Sequence, residues 1–85
     1  MEKAYHIAYV RFENDYLIMK ADDTLIKVKL EDISEKLTNA TELERNDLKI
    51  SPSGYGIHWP QIDEDLSVNG LIRTYHSKQM QIKQK

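Results

Sequence analysis

Hydrophobic and polar residues alternate along the first third of the chain with the period of an extended strand. In "AYHIAYVRF", Ala4, His6, Ala8, Val10 and Phe12 fall on one face and Tyr5, Ile7, Tyr9 and Arg11 on the other, which predicts a strand. Asn14 and Asp15 in "ENDY" supply a turn. "YLIMKA", Tyr16 to Ala21, predicts a second strand, and "DDT" turns again. In "LIKVKL", Ile26, Val28 and Leu30 form a buried face opposite Leu25, Lys27 and Lys29. Three strands joined by such short turns make an antiparallel meander, and the lysines predict that one side of that sheet is in water.

The period then changes. "EDISEKLTNA" predicts a short helix ending near Asn39, with Asp32 and Glu35 in a capping-box spacing and Ile33 and Leu37 four apart on one face. "TELERN" repeats the pattern: Thr41 caps, Glu44 answers and Asn46 stops. Neither piece is long enough to hold by itself, so both must pack on the sheet. "DLKIS" and "YGIHW" flank "PSG" as a second hairpin, in which Pro52 presets φ and Gly54 supplies a positive φ. Pro60 ends the hairpin by withholding a backbone donor. "DEDLSVNGLI" reads as a helix start, with acids at the positive end of the dipole and Val68, Leu71, Ile72 and Tyr75 at helical spacing. Gly70 weakens that helix by roughly 1 kcal/mol. The pattern as a whole predicts an α+β fold: a small antiparallel sheet of about five strands, a three-strand meander plus a hairpin, with short helices.

With 85 residues the chain is one domain. Its 40 % apolar and 31 % charged residues fit a folded, soluble composition. There is no cysteine, so neither a disulfide nor a thiolate is available. "MEKAYHIAYVRF" carries no apolar signal-peptide core, and no apolar run reaches membrane-spanning length. A cytoplasmic protein without membrane contact is expected. The net charge of −2 hides an asymmetry. Residues 1–72 hold all fourteen acids and eight bases, whereas "RTYHSKQMQIKQK" holds Arg73, Lys78, Lys83 and Lys85 and no acid. The expected organisation is a single α+β domain over residues 1–72 and a basic C-terminal tail over 73–85, partly helical or disordered. An acidic body repels phosphate, so nucleic acid is expected to bind only through the tail, if it binds at all.

Chemistry-bearing residues concentrate in "SPSGYGIHWPQIDEDLS". His58 and Trp59 are strand neighbours, so their rings point to opposite faces: the indole into the core, the imidazole outward. Asp63, Glu64 and Asp65 lack the alternating oxygens and central glycine of a calcium loop, and helix capping accounts for Asp63 and Asp65. His6, His58 and His76 match no zinc spacing, and no nucleophile elbow, P-loop or dinucleotide fingerprint occurs. A nucleophile–base pair could be assembled from Ser51 or Ser53 with His58, but nearly any sequence offers as much. No catalytic, metal or cofactor site is therefore expected. Gly54, Gly56, Trp59, Pro60, Asp63, Asp65 and Leu66 read as scaffold, and His58, Lys27, Lys29 and Arg73 as surface contacts for a partner.

The ending Gly56-Ile57-His58-Trp59-Pro60, then Asp63, Asp65-Leu66-Ser67, then Gly70-Leu71-Ile72 resembles the bacterial family known as domain of unknown function 2442. The order strand, acidic turn, strand, Asp-Ile-Ser in "FENDYLIMKADDTLIKVKLEDIS" is similar as well, so the resemblance spans roughly residues 5–72. It implies a small α+β domain acting as an accessory or antitoxin-like partner of a second small protein, and no established activity. Two expectations follow. The first is a non-catalytic interaction module binding a protein partner or a second copy. The alternative is a nucleic-acid-associated regulator that uses Arg73, Lys78, Lys83 and Lys85.

Overall fold

The computed structural model describes residues 4–83, with side chains described from residue 4 to 78. Lys85, and the side chain of Lys83, lie outside that description. The strands are β1 (Ile7–Glu13), β2 (Tyr16–Ala21), β3 (Thr24–Lys29), β4 (Lys49–Ile50), β5 (Gly56–Trp59) and β6 (Glu64–Ser67). The helices are α1 (Glu35–Thr38), α2 (Glu42–Asn46) and α3 (Val68–Lys83), with a 3-10 turn at Leu30–Asp32. The α+β architecture is as the sequence indicates. The strands form two three-stranded antiparallel sheets, ordered β1-β2-β3 and β4-β5-β6.

The meander follows its alternation closely in β2 and β3. Leu17, Met19, Ile26 and Val28 are buried, while Lys27 and Lys29 are exposed. β1 departs from strict alternation. Ile7 pairs with Ala21, but Tyr9 pairs with Lys20, so Ala8 is an extra residue in the ladder. Such a bulge switches which side chains face inward. Tyr5 and Ile7 before it, and Val10 and Phe12 after it, all pack against the core, and His6 and Ala8 are exposed.

The core lies between the two sheets and is closed by Leu30, Leu37 and, from α3, Val68 and Leu71. Trp59 is fully buried, with its ring edge-to-face with Phe12 at 6.5 Å between centroids. The helix termini show which sequence signals were read. At α2, Thr41 Oγ1 accepts from the Glu44 amide and Glu44 Oε1 from the Thr41 amide, the expected capping box. At α1 the cap is Ser34, whose Oγ accepts from the Leu37 amide, and not Asp32. Asp32 is displaced because Leu30–Asp32 form a 3-10 turn, and its carboxylate pairs with Lys78 at 3.6 Å.

The second correction concerns "EDLS". It is strand β6, not a helix start, and α3 begins at Val68. Its residues alternate: Leu66 pairs with Ile57 and is half-buried, whereas Asp65 and Ser67 are exposed. The short run is compatible with either period, and the free edge of β5 decides it. α3 then continues without a break through Arg73 to Lys83. No helix among the described residues is long and apolar enough to cross a membrane.

Candidate partner-binding surface

Two solvent-facing sheet surfaces carry the residues singled out in the sequence. On the hairpin sheet, Ile57 and Trp59 point inward and His58 outward. Lys49, His58 and Asp65 are register partners across β4, β5 and β6, so they form one exposed row. His58 Nδ1 lies 2.8 Å from Asp65 Oδ1. An open depression of about 410 Å³ runs along this row, bounded by Ser51 and Pro52 at the turn.

Ser51, at the turn end of this depression, is committed to that turn. Ser51 Oγ accepts from the Tyr55 and Gly56 amides at 3.0 and 3.2 Å, closing the hairpin turn. Asp63, Glu64 and Asp65 diverge. Asp63 adopts a left-handed turn conformation at φ 52°, and its carbonyl accepts from Lys36 Nζ. Glu64 sits opposite Trp59 and accepts from the buried Ser34 hydroxyl. Asp65 faces His58. Among the described residues no group of three or more histidine and carboxylate side chains is arranged to hold a metal ion.

The scaffold residues take specific places. Gly54 has φ +70°, and a Cβ there would lie 1.8 Å from the Tyr5 carbonyl oxygen, so the turn presses on the N-terminal segment. Gly56 in β5 approaches the Leu66 carbonyl, at 3.3 Å from an added Cβ. Pro60 is exposed immediately after β5.

The second surface is the outer face of the β1-β2-β3 sheet. Register places Tyr9, Lys20 and Leu25 in one cross-strand row, Arg11, Ile18 and Lys27 in the next, and Glu13, Tyr16 and Lys29 in a third. Tyr9 and Leu25 are exposed at 38 % and 53 %. Ile18 is buried on this face, outside the core, and the aliphatic stems of its row neighbours Arg11 and Lys27 are the natural cover. The Arg11 guanidinium lies 5.7 Å from the Tyr9 ring centroid and the Lys27 ammonium 4.8 Å from that of Tyr16. Both are cation–π distances.

Of the expected contact residues, Lys27 and Lys29 thus share one face, His58 lies on the other sheet, and Arg73 is exposed on α3. The structure does not gather them into one site. Asp65 as the partner of His58, and the tyrosines beside the lysines, were missed. The spacing of seven between His58 and Asp65 becomes a signal only once β6 is known to pair with β5.

No curated protein matches the chain. A crystal structure of a protein of unknown function from Rhodospirillum rubrum ATCC 11170 is similar in fold. Its TM-score is 0.67 and its identity 24 %, over 81 % of this chain and 86 % of that one. The family model described as "Protein of unknown function (DUF2442)" matches residues 7–77, reaching past Ile72 into the basic segment. With that match covering most of its length and the two-sheet α+β fold beneath it, this chain belongs to the DUF2442 family.

Proposed function

We propose that this chain is a cytoplasmic, non-catalytic interaction module that binds a protein partner through the meander sheet. The observation that carries this reading is the outer face of that sheet. It holds two exposed apolar side chains, Tyr9 and Leu25, among Arg11, Lys20, Lys27 and Lys29. Exposed apolar groups interleaved with cations suit recognition by contact and charge. The opposite face is committed to the core. The His58–Asp65 pair is a solvent-exposed contact and the nearby Ser51 hydroxyl is committed to the hairpin turn, which supports a non-catalytic role. The partner we have in view is a second small protein, related to this one as a toxin is to its antitoxin.

Co-expression with candidate partners, followed by gel filtration, tests the reading. The expected result is a stoichiometric complex that persists at micromolar concentration. A chain that forms no complex with any partner or with itself, yet turns over a substrate in a His58-dependent manner, overturns it.

A further inference from the structure

A groove lies between β3 and α3. Its volume is about 430 Å³, and its lining includes Lys27, Val28 and Lys29 together with Tyr75 and Lys78 of α3. Successive strand residues point to opposite faces of a sheet. A cavity touching three in a row therefore meets the strand along its backbone edge. Among the described residues no strand pairs with that edge, because β3 is the last strand of its sheet.

The phase of the ladder shows which backbone groups reach the groove. The Leu30 amide donates to the Asp15 carbonyl at 2.8 Å. In an antiparallel pair bonded and non-bonded positions alternate. Residues 26 and 28 therefore bond to β2, and the amides and carbonyls of Leu25 and Lys27 point outward together with the Lys29 amide, while the Lys29 carbonyl belongs to the 3-10 turn that it caps.

Charge at the groove is net positive. Lys27, Lys29 and Lys78 stand there against one carboxylate, Asp32, which Lys78 already holds at 3.6 Å. Lys29 pairs with Glu31 at 3.5 Å, with both side chains at least half exposed. Lys27 lies over the Tyr16 ring and is ion-paired with no described residue. A second copy docking by the same edge would set lysine against lysine, which disfavours it.

We infer that this groove takes an extended segment of a partner protein as a fourth strand beside β3, with acidic residues alternating with apolar ones. The inference rests on the interaction-module reading and names its site and ligand class. Backbone pairing to Lys27 and Lys29 supplies affinity, and alternate side chains supply specificity. Same-face residues of an added strand repeat about every 7 Å, the same interval as Lys27 and Lys29 on β3. Carboxylates on that face meet the two ammonium groups. The intervening apolar side chains turn toward Val28 and Tyr75.

The test uses the full chain and a fluorescein-labelled eight-residue peptide alternating Glu and Val. A block-sequence peptide of the same composition, a Lys–Val alternating peptide and an oligothymidylate serve as comparators. The alternating acidic peptide is expected to bind with a dissociation constant below about 1 mM and to slow hydrogen exchange at the Lys27 and Lys29 amides. Lys27→Glu is expected to weaken it by about tenfold or more. Lys36→Glu, an exposed charge reversal on α1 away from the groove and from the meander face, leaves it nearly unchanged. Equal binding of the block peptide or the oligothymidylate, or binding without protection of the β3 amides, overturns strand addition. So does no binding at that concentration. A native complex that survives Lys27→Glu removes the groove while leaving the module reading intact, whereas absence of any complex removes the module itself.

Discussion

Trp59 Nε1 donates to the backbone carbonyl of Arg45 at 2.9 Å. The one tryptophan thus fills the core with its rings and fastens α2 with its polar edge. Arg45 completes the tie: its guanidinium donates to the carbonyls of Leu37, Thr38 and Asn14 at 2.9, 3.0 and 3.1 Å. One side chain so joins the end of α1 to the β1–β2 hairpin, and its carbonyl joins both to β5.

Arg45→Lys is expected to destabilise the fold by roughly 2 kcal/mol, because an ammonium cannot reach three divergent carbonyls as the planar fork does. Urea unfolding followed by Trp59 fluorescence measures it. A change within about 0.5 kcal/mol of wild type removes the tie from the account of stability.

Gly54→Ala and Gly70→Ala should move stability in opposite directions. An added Cβ at Gly54 strikes the Tyr5 carbonyl at a positive φ, for an expected loss of about 2 kcal/mol or more. At Gly70 the nearest atom is Ser67 Cβ at 3.5 Å, an ordinary contact, so alanine should gain about 0.5–1 kcal/mol from helix propensity. Paired thermal melts decide the matter.

Ser34→Ala should cost about 1–2 kcal/mol, since it removes the α1 cap and the donor to Glu64 together. Asp32→Ala should cost under about 1 kcal/mol, because its partner Lys78 is about half exposed. Equal costs for the two substitutions would contradict the cap assignment.

The His58–Asp65 pair is solvent-exposed, with side chains 42 % and 74 % accessible. A double-mutant cycle of His58→Gln and Asp65→Asn in denaturant should return a coupling of about 0–1 kcal/mol. A coupling well above that range would mean the row does more than decorate the surface.

What the sequence determined by itself is what depends on near neighbours. The strict alternation of β2 and β3 set Ile26 and Val28 against Lys27 and Lys29, the succession His58-Trp59 put the indole inside, and Thr41 with Glu44 capped α2. Each of these follows from a period of two or a spacing of three, which a local window contains. What the tertiary structure decided involved a distant partner. β1 carries a bulge at Ala8 because β2 fixes its register and the core takes Ile7 and Val10 together. "EDLS" became β6 because the open edge of β5 offers backbone bonds and a place for Leu66, which outweigh the helical reading of three acids before Val68. Asp32 lost the α1 cap to Ser34 because Leu30–Asp32 wind into a 3-10 turn, and its carboxylate meets Lys78 of α3 instead. The β3–α3 groove exists only because residues about fifty positions apart in the chain meet across a strand edge, and no periodicity along the chain records such a meeting.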